Sequence, residues 1–403
     1  MINYKLNKIF NFLIIYYWGM LYIQAIPFFI DTPLLYLLYV VPIGLFIIYL
    51  LFYLVQTKDF NFDVKSYYLL SFAFLSILSA VFRFDFKSMV SVFLFSMGMI
   101  FIFKYKLFIY LSLLNKLFII SILLSIVCFY THFSIYGFIP GQSTTTNSIE
   151  LLAGRVSLFP NVAISIYFSF LVFLLNLFFN SNKSKYFYML LSFYFIYFGV
   201  SRTLLILFLM IILFIFIKNL FSFKSVIFKI FPILGFIFVS IILTNFNEIL
   251  NFLFRSDNLF IKNYFLHNAD SVEELSSMNY RFMNWYAHLQ IFMNYPWGIS
   301  SNLLDSIFYD LTGLANGSES FLTSILAHYG FVTILFYLFI ITILFEAFKK
   351  NTFYYYIFVY VFVFIGLLYG SFFNIYNVIY LILVSSLNLV YYNEESIKCI
   401  KNY

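Results

Sequence analysis

Charge is what this chain has least of. Charged residues make up 10% of its 403 residues, where soluble domains carry about 25%, so a surface wetted on all sides is excluded. There are only two cysteines, Cys128 inside an apolar run and Cys399 near the end. Two so placed give neither a disulfide framework nor a zinc pattern. No histidine pair has the His-x-x-x-His spacing of a metal site, and no Asp-x-Asp motif marks a metal-dependent sugar-nucleotide site, so neither metal nor cofactor is expected. Period-2 alternation is absent, which argues against a membrane β-barrel. No internal repeat of 20–50 residues is visible.

What is there is hydrocarbon. Hydrophobic residues reach 64%, and apolar runs of roughly 18 residues or more recur from end to end, each long enough to cross about 30 Å of bilayer as a helix. The expectation is an all-α polytopic membrane protein with about 12 transmembrane helices. The spans fall at roughly 9–29, 34–55, 66–82, 88–103, 117–136, 158–179, 186–200, 203–217, 228–245, 320–346, 353–369 and 372–392. The first run has no small-residue cleavage site after it and reads as a retained helix.

The basic residues set the orientation. Lysines cluster before the first span and in every even-numbered gap, from Lys58 and Lys65 to Lys349 and Lys350. By the positive-inside rule those gaps and both termini face the cytoplasm. Sixteen of the 18 lysines fall inside on this count, whereas all five arginines (Arg83, Arg155, Arg202, Arg255 and Arg281) fall outside. Topology alone does not distinguish Arg from Lys. The guanidinium fork suits bidentate recognition of phosphate or carboxylate; a coding bias toward Lys is the plainer explanation. Basic residues scattered singly at helix ends speak against nucleic-acid binding.

Three segments follow: 1–245, with nine spans and an outer loop near 137–157; 246–319, a large outer loop between spans nine and ten; and 320–403, with the last three spans and a cytoplasmic tail. The stretch from Asn245 to Tyr329 is the long polar interval and holds three of the four histidines. Within it, Leu275, Met278, Phe282, Trp285, Leu289 and Phe292 recur at helical spacing, the pattern of an amphipathic helix lying at the membrane interface.

Four patches in this order carry a resemblance. They are Gly154-Arg155 with Phe159-Pro160-Asn161; Gly199-Val200-Ser201-Arg202-Thr203; Arg281-Phe-Met-Asn-Trp285 running on to Pro296-Trp297-Gly298; and Ser318-Glu319-Ser320 running on to Tyr329-Gly330. The set, from Gly154 to Gly330, resembles the O-antigen polymerase and ligase superfamily, with the Wzy-type polymerases the nearer branch. The first 130 residues are similar to it only in being membrane spans. The resemblance implies a GT-C-like glycosyltransferase that uses no sugar nucleotide. Its donor and acceptor would be undecaprenyl-diphosphate-linked repeat units at the outer face of the bacterial cytoplasmic membrane, with a flippase and a chain-length regulator as partners.

On that resemblance Arg202 and Arg281 hold diphosphate, with Arg155, Asn161, Ser201, Trp285, His288 and Ser320 in the substrate site. Glu319 stands where ligase-like relatives place a histidine proposed as the base. Each has a plainer reading. Arg202 between two apolar runs either meets an anion or snorkels to water. Arg281 and Arg155 either reach the glycan donor or pair with headgroups and loop carboxylates. Glu319 either takes a proton from an acceptor hydroxyl or favours the dipole of the helix it opens. His288, one turn from Trp285, either binds sugar or is merely solvated. Trp285 and Trp297, with Tyr280, Tyr286 and Tyr295, either stack on sugar rings or belong to the interfacial aromatic belt. Arg83 and Arg255 match no motif and read as surface or headgroup charges. Two other activities compete: a ligase moving finished glycan to lipid A core or another acceptor, and a flippase, which would carry charges within its spans. A non-enzymatic receptor or scaffold is a further alternative.

Overall fold

The computed structural model describes residues 4–23, 33–130, 157–159, 162–199, 202–220, 276–313, 320–350, 353–368 and 377–391. Among them the regular structure is entirely helical. The helices are α1 (Tyr4–Ile23), α2 (Pro33–Thr57), α3 (Val64–Phe82), α4 (Phe86–Lys104), α5 (Leu111–Tyr130), α6 (Val162–Phe179), α7 (Ser184–Phe198) and α8 (Arg202–Leu220). After a gap come α9 (Ser276–Asn294), α10 (Ser301–Thr312), α11 (Phe321–Tyr329), α12 (Thr333–Lys350), α13 (Phe353–Leu368) and α14 (Val378–Tyr391). Each expected span from the first to the eighth, the eleventh and the twelfth falls on one helix. Ends that fall among the described residues shift by a few positions, because hydropathy marks apolar runs rather than caps. The ninth expected span (228–245) and residues 137–156 lie outside the described residues.

Leu37–Thr57, Val64–Phe82 and Phe86–Lys104 are helices long and apolar enough to cross a membrane. Phe12, Phe52, Phe74 and Phe82 are among many large apolar side chains left exposed. Such a surface suits lipid tails and would be costly in water.

The chain divides into two compact units, Met1–Leu114 with Tyr280–Ala347 and Tyr354–Tyr403, and Asn115–Asn279 with Phe348–Phe353. In the first, α3 and α4 form a tight hairpin. Asp85 N–H donates to the Ala80 carbonyl and Phe84 N–H to that of Val81. This pairing ends a helix when the residue between adopts the left-handed conformation. Glycine usually fills that position; here it is Phe84, at φ 54°. Asp85 at once caps α4, its Oδ1 accepting from Ser88 N–H at 3.1 Å. Lys106, at φ 53°, closes the far end of α4 in the same way.

The link from α4 to α5 is buried and irregular at Leu107–Ile109, so its backbone needs side-chain partners. Asn7 and Asn11, one turn apart on α1, supply them: Phe108 N–H donates to Asn7 Oδ1 at 2.9 Å, and Tyr110 N–H to Asn11 Oδ1 at 3.0 Å. Asn388 of α14 donates to the Ile102 and Leu107 carbonyls. At that same end the buried Lys65 ammonium lies between Asp63 and Glu346, at 3.2 and 3.1 Å.

One expectation is overturned. The stretch 320–346 is not one continuous span. The chain turns back at Gly330–Val332, and α11 lies antiparallel to α12. Thr333 Oγ1 donates to the Ile325 carbonyl at 2.8 Å, Tyr337 OH to that of Leu322 at 2.7 Å, and the rings of Phe321 and Phe336 lie 5.8 Å apart. In a straight helix residues 15 apart are separated by about 22 Å. Apolarity hides this break, because a hairpin of two apolar helices has the same hydropathy as one long one. Nine residues of α11 cover about 14 Å, half a membrane. Its first residue packs against Phe95 in the middle of α4.

In the second unit α6 and α7 form a close hairpin, and a Cβ on Gly199 would strike Ile166. Asn115 and Asn176 exchange amide hydrogen bonds at 3.1 and 2.8 Å. This reciprocal pair leaves no amide group wanting between apolar helices.

Candidate functional site

The site is built where α9 meets α11, within the first unit. After α9 the sequence Tyr295-Pro296-Trp297-Gly298 turns the chain, Gly298 N–H donating to the Tyr295 carbonyl at 2.8 Å. Two backbone bonds then lock this turn to the hairpin tip. Ile299 N–H donates to the His328 carbonyl at 3.2 Å, and Phe331 N–H to that of Pro296 at 2.9 Å. Gly298 sits at φ 82° and Gly330 at φ 59°, and a Cβ on either would strike the opposing backbone carbonyl, of His328 or Pro296. Only glycine allows so close an approach. Ala287, Ile291, Ile299, Leu304, Phe308 and Ala327 form the apolar packing beneath, joining α9, α10 and α11.

A second lock holds this assembly to the α3–α4 turn. Asp85 accepts from Ser88 N–H and Oγ and from Ser301 N–H and Oγ, at 2.6 to 3.1 Å. His328 Nε2 lies 2.7 Å from Ser88 Oγ. Arg83 donates from Nε to the Ser79 carbonyl and from Nη1 to that of His328, at 3.1 and 2.7 Å. Burial alone would push the Asp85 carboxyl up. The Ser301 hydroxyl and backbone N–H, then those of Ser88, outweigh burial and hold it well below the usual carboxylate range. So saturated a carboxylate has little basicity left, and its work is to hold the α3–α4 turn to the start of α10. Arg83 is thus no surface charge, which corrects the sequence reading, and His328 belongs to this lock.

Farther along α9 lies a second polar chain. His288, fully buried, places Nδ1 3.0 Å from Thr323 Oγ1. Thr323 Oγ1 donates in turn to Ser320 Oγ at 2.8 Å. Ser320 is the N-cap of α11 and also accepts from Thr323 N–H. Because the single Thr323 hydroxyl hydrogen points at Ser320, Thr323 can only accept from His288, whose Nδ1 then carries a proton. One turn before His288, Asn284 is also fully buried, and neither its Nδ2 nor its Oδ1 has a hydrogen-bond partner among the described residues.

Of the residues singled out in the sequence, the structure joins His288 and Ser320 through Thr323. Trp285 donates its indole N–H to the Leu367 carbonyl at 3.1 Å. Arg281 lies in α9, two turns before His288, and Arg202 is the first residue of α8 in the second unit. A cation in a first turn opposes the helix dipole. Arg155, Asn161, Ser201 and Glu319 lie outside the described residues, as do Arg255, His132 and His267. The helix expected at 273–293 is present. It runs alongside α11 in the same direction, since His288 meets Thr323 while Pro296–Ile299 meet His328–Phe331. It therefore follows the line of α11. The outer aromatic residues of its turn do face outward, Trp297 being 77% exposed.

Sequence reasoning missed Asp85, Ser88, Ser301, Thr323 and Asn284. Asp85-Phe-Lys-Ser88 has the form of a helix N-cap, a signal open to reading. The partnership with Ser301, more than 200 positions away, left no local trace. Among the described residues no three His, Cys, Asp or Glu side chains gather to hold a metal. Comparison of the chain with protein-family models, curated proteins and solved structures gives no match.

Proposed function

We propose that this chain is a metal-independent membrane glycosyltransferase that polymerises undecaprenyl-diphosphate-linked repeat units into O-antigen or capsular polysaccharide. In this reading it is a GT-C-like protein of twelve spans in the bacterial cytoplasmic membrane, with both termini cytoplasmic and the site facing outward. The observation that carries the reading is the polar chain of His288, Thr323 and Ser320 at the N-terminus of a half-length helix, deep among apolar spans. Irregular backbone at such depth is tolerated where it lines a cavity, and half-helices of this kind build substrate sites in other membrane proteins. The ordered motif patches and the separation of arginines from lysines add to it.

The chemistry is displacement at the donor's anomeric carbon. An acceptor hydroxyl forms the new C–O bond and loses its proton to Glu319. The bond to the diphosphate breaks, and Arg202 and Arg281 stabilise the negative charge of the leaving group. Attack from the face opposite the leaving group inverts that carbon. Arg155, Asn161, Ser201, Trp285, His288 and Ser320 bind and orient the glycan, and a flippase and a chain-length regulator act beside the enzyme.

Deleting the gene tests the reading directly. The polysaccharide ladder of the parent strain should collapse to a single repeat unit on its acceptor. Loss of all glycan from that acceptor points to the ligase or flippase alternatives and sinks the polymerase.

A further inference from the structure

We infer that Asn284 is a sugar-reading residue, which binds a hydroxyl pair or an acetamido group of the acceptor beside the N-terminus of α11. The inference rests on the glycosyltransferase reading for its substrate class but on a separate observation. Asn284 is fully buried, and both ends of its amide lack a partner among the described residues. The choice of amide orientation is immaterial, because neither atom is bonded. Buried amides are ordinarily satisfied, and one left bare calls for an explanation.

Its position gives one. Asn284 and His288 are one turn apart and share a face of α9, and His288 reaches Thr323 in the first turn of α11. The two helices run in the same direction, so Asn284, about 6 Å back along α9, stands level with Ser320, the α11 N-cap. Asn284, His288, Thr323 and Ser320 thus form one polar strip ending at a helix N-terminus.

The ligand's chemistry follows from what the amide wants. A phosphate or carboxylate satisfies Nδ2 but leaves Oδ1 bare, because an anion offers no hydrogen. A group carrying a donor and an acceptor side by side satisfies both. Vicinal sugar hydroxyls and the acetamido group of an amino sugar are of this kind. The strip therefore reads the neutral sugar and leaves the diphosphate to the arginines.

The test uses the full chain in lipid vesicles, supplied with an undecaprenyl-diphosphate-linked repeat unit. Asn284→Leu keeps the volume and removes both polar atoms. Its unfolding temperature should equal or exceed that of the unaltered protein, while KM for the acceptor rises ~10-fold with a smaller change in kcat. An unchanged KM overturns the inference. So does a lowered unfolding temperature, which would mean that the amide bonds within the fold. If the unaltered protein elongates nothing, the polymerase reading fails by itself, and stabilisation by free sugars decides the role of Asn284. Lactose, with hydroxyls alone, or N,N′-diacetylchitobiose, with acetamido groups, should raise the unfolding temperature of the unaltered protein and not that of Asn284→Leu. A rise with neither sugar, or an equal rise in both proteins, overturns the inference.

Discussion

Asp85 is a carboxylate at the start of α4, and its surroundings set its work. Asp85 accepts four hydrogen bonds from Ser88 and Ser301, which hold it ionised. Its folded pKa lies below the unfolded value of about 3.9, so its contribution to stability is complete above that pH and is lost as pH falls toward the folded value. Asp85→Asn should therefore cost about 2 kcal/mol at neutral pH, measured by thermal unfolding. The gap between variant and unaltered protein should stay level from about pH 5 upward and close in stronger acid; a gap that widens on acidification would refute this account. For Glu319, the base of the proposed mechanism, the expectation concerns chemistry. Glu319→Gln keeps the shape and removes the base, so polymerisation by the reconstituted enzyme should fall by ~100-fold or more with unfolding little changed. Retained activity would return Glu319 to the plain role of a residue favouring a helix dipole. Asp85 was half legible, as a cap, because capping is local. Its second role depends on Ser301, and no nearby residue announces that.

Among the elements, the α11–α12 hairpin matters most, and it turns on Gly330. Two glycines separate conformation from contact. Gly313 closes α10 at φ 68° with open space around its Cα, whereas Gly330 at φ 59° faces the Pro296 carbonyl. Gly313→Ala carries only the left-handed strain, about 1 kcal/mol. Gly330→Ala adds a collision with backbone that cannot swing aside, and a loss of about 3 kcal/mol is expected. Thermal unfolding of the two variants in one detergent compares them, and equal losses would mean that the turn has room to relax. The helices themselves were legible, since solid apolar runs can be little else in a membrane. The reversal within 320–346 was not. Periodicity and hydropathy are properties of a window, whereas a hairpin is declared by contacts such as Tyr337 with Leu322.

For the molecule as a whole, the first unit segregates its polar locks to two ends. Lys65 with Glu346 and Lys104 with Asp59 lie at one end of α3 and α4, and Arg83 and Asp85 at the other. In the proposed orientation the first end faces the cytoplasm. Alkaline phosphatase fused at Ser306 on α10 should be active, and a fusion at Lys58 should not; the reverse result would overturn the orientation and with it the proposed site. The amino-acid sequence by itself determined that the chain is helical and suited to a bilayer, because composition and run length are sums over residues and need no partner to be read. It also pointed to α9 and the start of α11 through Arg281, Trp285, His288 and Ser320. Only the tertiary structure decided that α11 folds back on α12, that Arg83 and Asp85 hold the assembly, and that Asn284 is left bare at its centre. Each of these is a relation between distant segments, and its energy comes from groups that meet only once the chain has folded.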